Sequence, residues 1–375
     1  MTPEDALLET PLGALHRELG ARMVPFAGYA MPLQYRAGIL AEHRHTRGSA
    51  SLFDVSHMGQ VRLSARPGAS MESVARALER LVAADIVGLG PGRQRYTQFT
   101  NGTGGILDDL MVTSLGDHLW LVVNAACKHD DIERLKVLIG EECDIEVLEK
   151  RALVALQGPA AVAAFARLVP DSQGLSFMQA ALWTLDGETL MVSRSGYTGE
   201  DGVEVSVSSG GVDALARRLL AADGVEAAGL GARDSLRLEA GLCLHGNDID
   251  TTTTPVEAGL AWSIQKRRRL EGGFPGADVI VSQLRDGPPR RRVGLVPQGR
   301  APVREGAAIR SSSGAPLGTV TSGVFGPTAE RPVAMGYVAG EAAVTGTVVE
   351  VERRSSWIEA EIRSLPFVPH RYHRS

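Results

Sequence analysis

Twice along this chain, an apolar run of strand character meets a Gly/Pro turn and then a helical pattern. Val61-Arg62-Leu63-Ser64-Ala65 leads through Pro67-Gly68 into a helical pattern over Ser73 to Leu78. Leu153-Val154-Ala155-Leu156-Gln157 leads through Gly158-Pro159 into Ala160 to Leu168. Proline suits the first helical turn, where its fixed φ fits and its missing N–H is not needed. The recurrence predicts two related strand–helix modules. Between them and the C-terminus, Leu182 to Leu185, Asp186-Gly187 and Thr189 to Val192 read as a hairpin with a tight turn. From about Arg290 the texture changes. Val293-Gly294-Leu295-Val296, Gly318-Thr319-Val320-Thr321 and Thr347-Val348-Val349-Glu350-Val351 alternate apolar and polar residues between Gly, Pro and Ser turns, the pattern of a small β-barrel. The helical pattern Ala277 to Leu284 and the turn Asp286-Gly287-Pro288-Pro289 mark the boundary. A length of 375 residues suits two or three domains.

Several function classes drop out by composition and spacing. The net charge of −5 leaves no global electrostatic footprint for nucleic acid. The basic runs Lys266 to Arg269 and Arg290 to Arg292 read as a solvated face or interdomain ion pairs, with docking of an acidic partner as the alternative. No apolar run approaches the roughly 18 residues that span a bilayer, so no membrane role is expected. The opening MTPEDALLETPLGALHRELG carries early acids and no apolar h-region, which argues against signal and transit peptides and for a bacterial-type cytoplasmic location. Cys127, Cys143 and Cys243 lie far apart, a spacing that suggests neither a disulfide framework nor a zinc site. His43 and His45, two apart on a helix, point to different faces, so no metal is expected. Lys128, Lys136, Lys150 and Lys266 sit in no apolar or glycine-rich motif, against Schiff-base chemistry. Gly229-Leu230-Gly231 begins a dinucleotide fingerprint that Asp234 breaks, and no P-loop or nucleophile elbow occurs.

Four stretches concentrate unusual residues. In Gly104-Gly105-Ile106-Leu107-Asp108-Asp109-Leu110 two acids stand inside an apolar strand pattern, on opposite faces by alternation. They serve either as charges guarding a sheet edge or as a site. In Ser195-Gly196-Tyr197-Thr198-Gly199-Glu200-Asp201-Gly202 the glycines could shape a turn that leaves Glu200 and Asp201 solvated. In Gly229-Leu230-Gly231-Ala232-Arg233-Asp234, Arg233 could pair with Asp234 or Glu239. In Phe53-Asp54-Val55-Ser56-His57-Met58-Gly59, His57 could be a satisfied core residue.

In this order the four stretches resemble the aminomethyltransferase (T-protein) family of the glycine cleavage system. The resemblance extends through Pro25-Phe26-Ala27-Gly28-Tyr29, Leu156-Gln157-Gly158-Pro159, Leu236 to Gly241, Gly246-Asn247-Asp248, Thr254-Pro255-Val256-Glu257, Thr319 to Gly323, Ala334 to Tyr337 and Pro366-Phe367-Val368-Pro369, nearly the whole chain. It implies an α+β protein of three domains, two ferredoxin-like α/β domains plus a C-terminal β-barrel. The expected division is 1–55 with 150–285, then 56–149, then 290–375. It implies tetrahydrofolate as co-substrate and a lipoylated H-protein as partner. An aminomethyl group on the lipoyl arm would become methylene-tetrahydrofolate, with ammonia and dihydrolipoyl H-protein as the other products.

The second aspartate of the Asp-Asp motif matches the family's catalytic carboxylate, here Asp109. Such a group stabilises developing positive charge and can take a proton from a folate nitrogen. Asp108 is left with a structural role. Glu200 aligns with a ligand-contacting glutamate, whose acceptor oxygens complement adjacent pterin N–H donors. Arg233 aligns with a second contact, to a pterin carbonyl or a folate carboxylate. Tyr372 matches a C-terminal tyrosine that reaches the ligand, with a disordered tail as the alternative. Tyr197 and Met58 are expected to line the pocket. Two positions depart from the family pattern: His245 and Tyr29 stand where tyrosine and tryptophan are usual. A related folate-dependent demethylase acting on a methylated small molecule is the alternative activity. A folate-binding protein of iron–sulfur maturation is a third reading, against which the absent K-G-C-Y-x-G-Q-E motif argues.

Overall fold

The computed structural model describes residues 7–374. Residues 1–6, part of the stretch behind the reading on targeting, lie outside the described residues. Among the described residues no helix is long and apolar enough to cross a membrane.

The first expected module is a five-stranded antiparallel sheet in the order Arg93–Thr100, Ile106–Ser114, His118–Val123, Gly59–Ala65, Cys143–Val147. Gly59–Ala65 crosses over through the helix Met71–Glu79, and His118–Val123 through the helix Lys128–Ile139. The first strand of the unit therefore lies beside its last. Ser70 caps the first helix, its side chain accepting from the Ser73 N–H. One face of the sheet buries Val61, Leu63, Phe99, Leu110, Val112 and Leu121 against Val74, Leu78, Leu135 and Ile139 of the two helices.

The second module repeats the plan. Arg151–Gln157 crosses through the helix Ala161–Ala166, and Gly202–Ser208 through the helix Val212–Leu220. Its sheet runs Ala180–Leu185, Glu188–Ser193, Gly202–Ser208, Arg151–Gln157, Ala50–Asp54, Val225–Ala227. The difference from the first is one insertion. Ala50–Asp54, made before the five-stranded unit, sits between the module's first and last strands. The expected hairpin is present, with Asp186 and Gly187 both at positive φ (52° and 82°), the geometry of a two-residue primed turn. The C-terminal texture folds as a closed barrel in the order Arg290–Pro297, Arg331–Ala339, Pro316–Gly326, Ala308–Arg310, Val348–Arg353, Ser356–Arg363. The α+β class with a C-terminal barrel, expected from the sequence, is the architecture observed.

Two alternatives are decided by position. Asp108 and Asp109 pair with Phe99 and Gln98 on one side, and on the other Asn124 donates to the Asp108 carboxylate and the Asp109 carbonyl where the ladder to His118–Val123 ends, so they do not guard a sheet edge. The run Lys266 to Arg269 forms a short helix, Lys266–Glu271, whose charges are largely spent within the protein. Arg267 bonds Glu79 and Asp85, Arg268 is 4% exposed beside Glu79, and Arg269 donates to the Ile264 carbonyl. Arg267 and Arg268 are thus ion-paired to the five-stranded unit, while Lys266 and Arg269 stay exposed.

Glu239 joins three parts of the molecule. It ends the helix Leu230–Glu239 and is fully buried. Its Oε2 accepts from His43 Nε2 at 3.0 Å and Arg47 Nη2 at 3.2 Å, both on the helix Ile39–Gly48. Its Oε1 accepts from the backbone N–H groups of Thr328 and Ala329, in a turn of the barrel, at 2.8 and 3.0 Å. Its own carbonyl accepts from the N–H groups of Phe367 and Val368 in the C-terminal tail. Burial alone would raise its pKa, but these donors, His43 foremost, hold the carboxyl at about 2.

Removing one member of a buried ionic network leaves its partners uncompensated, at about 3–5 kcal/mol. Glu239→Ala is therefore expected to lower unfolding free energy by that amount in denaturant titrations. The ordinary Glu pKa is 4.5 and the folded value lies near 2, so its stabilising contribution is complete above pH 4.5 and lost as pH falls towards 2. The variant's acid-unfolding limb should flatten across that window. A loss below about 1 kcal/mol, ordinary for a surface change, would remove Glu239 from this role.

Candidate active site

A cavity of about 1350 Å³ opens where the two sheet modules, the barrel and the C-terminal tail meet. Asp109 reaches it from the middle of the five-stranded sheet. Alternation turns Asp108 the other way, into a fully buried position. The two carboxyls nonetheless share a clasp. Asn124, just past the end of His118–Val123, donates its backbone N–H to Asp108 Oδ2 at 3.0 Å. Its side-chain nitrogen lies 2.9 Å from Asp108 Oδ1 and 2.7 Å from Asp109 Oδ1. Burial, then the neighbouring Asp108 charge, pushes the Asp109 carboxyl up to about 6. Behind Asp108, burial and the contact with Asp108 push Asp131 up to about 9, so Asp131 carries a proton at neutral pH. Gly105, at the turn before the strand, has no room for a Cβ, which would stand 1.9 Å from the Thr251 carbonyl. That close approach, with the Ile106 N–H donating to the Asp250 and Thr253 carbonyls, docks the motif against the loop carrying His245.

The opposite wall carries Arg233, Tyr197 and Glu204. Arg233 lies in the first turn of Leu230–Glu239 and stacks over the Tyr197 ring at 4.6 Å. Asp234 is taken by Arg237 and Glu239 by His43 and Arg47, so neither of the expected intramolecular partners holds Arg233. Its Nη1 is buried with no partner among the described residues. Tyr197 is fixed by donating its hydroxyl to the Cys243 carbonyl. Met58 and Tyr372 also line the cavity. The tail is tied down: the Arg371 N–H donates to the Gly199 carbonyl and the Phe177 N–H to the His373 carbonyl, each at 2.8 Å. Tyr372 itself stacks face to face on Phe177, ring centroids 4.1 Å apart.

Glu200 is the exception among the expected site residues. It is 1% exposed, does not line the cavity, and its Oε1 accepts from Arg47 Nη1 at 2.9 Å, while its buried Oε2 has no hydrogen-bond partner among the described residues. The acid that does line the cavity is Glu204, where it accepts from Ser195 Oγ at 2.7 Å. The placement of Glu204 has a simple physical basis. In Gly202–Ser208 the valines at 203, 205 and 207 turn to the hydrophobic core, which puts Glu204 on the other face. A lone acid in a Val-x-Val-x-Val run was the available signal.

Three more cavity residues were not selected from sequence. Asn124 is the clasp. Tyr96 lies beside Asp109 and stacks on Trp262, centroids 5.5 Å apart and 60% of Trp262 exposed at the rim. His57 is not a satisfied core histidine: its buried Nδ1 has no partner among the described residues. Burial lowers its pKa to about 4, so it is neutral at physiological pH.

The chain matches the GCVT N-terminal domain model over residues 12–268 and the glycine cleavage T-protein C-terminal barrel domain model over 290–369. It is 47% identical to a mitochondrial aminomethyltransferase of Gallus gallus over 98% of this chain and 94% of that protein. The mitochondrial aminomethyltransferase of Homo sapiens is 45% identical, over 99% of this chain and 92% of that protein. The crystal structure of glycine cleavage system aminomethyltransferase T from Bartonella henselae superposes with a TM-score of 0.92 at 44% identity, covering 98% of this chain and all of that one.

Because Asp108 opposes ionisation of Asp109, Asp108→Asn should move the Asp109 titration midpoint down from about 6. Burial remains, so it should stay above the ordinary aspartate value. Carbon-detected NMR of the carboxyl groups reads this directly. An unchanged or higher midpoint would remove Asp108 as a cause of the upward shift of Asp109.

Proposed function

The chain belongs to the glycine cleavage T-protein family, and from that premise we propose that its cavity binds tetrahydrofolate and receives an aminomethyl group from the lipoyl arm of an H-protein. The activity is that of an aminomethyltransferase. The observation that carries the site assignment is Asp109, a carboxylate exposed to the cavity, pushed up to about 6 and held by Asn124.

The polar inventory of the walls suits a pterin. Glu204 offers an acceptor carboxylate and Arg233 a donor nitrogen that nothing else in the described chain uses. A pterin edge presents adjacent N–H donors and a carbonyl, the complement of that pair. Tyr197, Met58 and Tyr372 supply apolar and aromatic surface for the rest of the ligand. When bound, tetrahydrofolate supplies the nitrogens on which the one-carbon unit ends.

Asp109 then has two tasks. Its negative charge stabilises the cationic, iminium-like character that develops as ammonia leaves, more strongly in a partly dry wall than in water. Its carboxylate also accepts the proton of the attacking folate nitrogen within hydrogen-bond reach. Asn124 keeps the carboxylate aimed without neutralising it. A pKa near 6 leaves Asp109 mainly ionised at neutral pH while keeping it a competent base. The exposed Trp262, stacked on Tyr96, gives an aliphatic carrier arm an apolar surface leading towards Asp109.

Asp109→Asn should lower turnover by about 10²–10³-fold, the usual loss for one preorganised electrostatic group, with tetrahydrofolate binding retained. The assay is folate-dependent ammonia release from aminomethyl-loaded H-protein, and unchanged turnover would sink the catalytic role. A paired experiment separates the two glutamates. Glu204→Gln should weaken tetrahydrofolate binding by about 10–100-fold, as for loss of a charge-assisted hydrogen bond. Glu200→Gln should leave affinity near the parent's and lower thermal stability instead. The reverse pattern would restore Glu200 as the ligand contact.

A further inference from the structure

Asp108, Cys127 and His245 come from three distant segments and meet beneath Asp109. Cys127 precedes the helix Lys128–Ile139, Asp108 lies on the sheet, and His245 stands in the loop docked against Gly105. Cys127 Sγ is 3.5 Å from His245 Nδ1, and Asp108 Oδ1 is 3.9 Å from the same nitrogen. All three ligand atoms lie within 4.8 Å of one another. A zinc ion held at about 2.3 Å by sulfur and about 2.0–2.2 Å by nitrogen and oxygen keeps tetrahedral ligands about 3.4–3.6 Å apart. The Cys–His separation already has that value, and the Asp–His separation is a few tenths of an ångström wider.

The surroundings also call for a cation. Asp108 is 0% exposed, and no lysine or arginine among the described residues pairs with it. His245 Nε2 is buried without a partner among the described residues. Asp108 keeps free lone pairs after its bonds from Asn124. A thiol, an imidazole and a carboxylate together favour zinc-class ions over magnesium or calcium, which prefer all-oxygen sites. The three protein ligands leave a fourth position for water.

We propose that Asp108, Cys127 and His245 form a site for a zinc-class divalent cation, and that the bound ion suppresses aminomethyl transfer. Binding replaces the Cys127 thiol proton, which leaves to solvent, and the ion keeps its oxidation state. Inhibition follows from placement. A dication on Asp108 stands one hydrogen-bonded residue, Asn124, away from Asp109. It offsets the negative charge that Asp109 offers to the cationic intermediate, and it immobilises the clasp.

The site is tested with metal alone, on reduced, chelator-treated protein. Titration with Co²⁺ should give a thiolate-to-cobalt charge-transfer band that saturates at one ion per chain and is removed by Zn²⁺. The band should vanish in Cys127→Ala, although Cys143 and Cys243 remain, and His245→Phe should weaken binding by at least about tenfold, as for loss of a ligand set. Zn²⁺ should inhibit ammonia release by the parent, with the inhibitory concentration raised at least about tenfold in Cys127→Ala, whose metal-free activity stays that of the parent. Absence of the band, its survival in Cys127→Ala, or zinc inhibition unchanged by that substitution would overturn the proposal and leave an ordinary thiol–imidazole contact. The spectroscopic arm requires no turnover, so its result stands apart from the assignment of activity. Should Cys127→Ala not fold, the test rests on His245→Phe, where cobalt affinity unchanged from the parent's would overturn the proposal.

Discussion

Glu239 carries negative charge where water does not reach, and it is tolerated because four donors surround it. Two of those donors belong to the helix Ile39–Gly48 and two to a barrel turn, while its carbonyl holds the tail that carries Tyr372. A buried carboxylate is highly demanding about geometry, since each missing donor leaves an uncompensated charge. The helix that Glu239 ends, Leu230–Glu239, carries Arg233 in its first turn. Barrel, tail and α/β module are thus placed relative to one another by the element that presents a cavity side chain, which ties the shape of the site to the stability of the frame.

Asp109 is the counterpart. Glu239 is surrounded by donors and titrates far below its ordinary range; Asp109 has Asn124, a like charge behind it and a partly dry wall, and titrates above. Their environments push the two carboxyls in opposite directions, Glu239 well below its ordinary range and Asp109 up to about 6. Glu200 is paired to Arg47 outside the cavity lining, and Glu204 lines the cavity.

Much of this architecture is legible in the sequence because it follows from local chemistry. The two strand–helix modules, the Asp186-Gly187 hairpin and the shift to barrel strands after Arg290 are each set by periodicity and turn residues within a few positions. The burial of Asp108 against the exposure of Asp109 follows from strand alternation. What escapes is what depends on distant segments. Nothing near Glu200 announces Arg47, and nothing near Arg267 announces Glu79 and Asp85. Cys127 and His245 are separated by most of the second module, so spacing rules for metal ligands cannot see them together. Glu204 is the instructive case: the Val203, Val205 and Val207 alternation turns it away from the core, whereas the family motif falls on the glycine-rich turn just before it.

The strand Ala50–Asp54 has a consequence for how the protein is made. It pairs with Arg151–Gln157 and Val225–Ala227, and the whole five-stranded unit separates it from both. That unit holds all its strands between Gly59 and Val147, so it can close its own sheet as soon as it leaves the ribosome. Ala50–Asp54, buried at every position in the finished protein, meanwhile waits with its edges unpaired. The insertion that gives the second module its extra strand therefore also leaves the nascent chain with an unpaired apolar strand. One edge finds its partner when Arg151–Gln157 is made, the other only with Val225–Ala227.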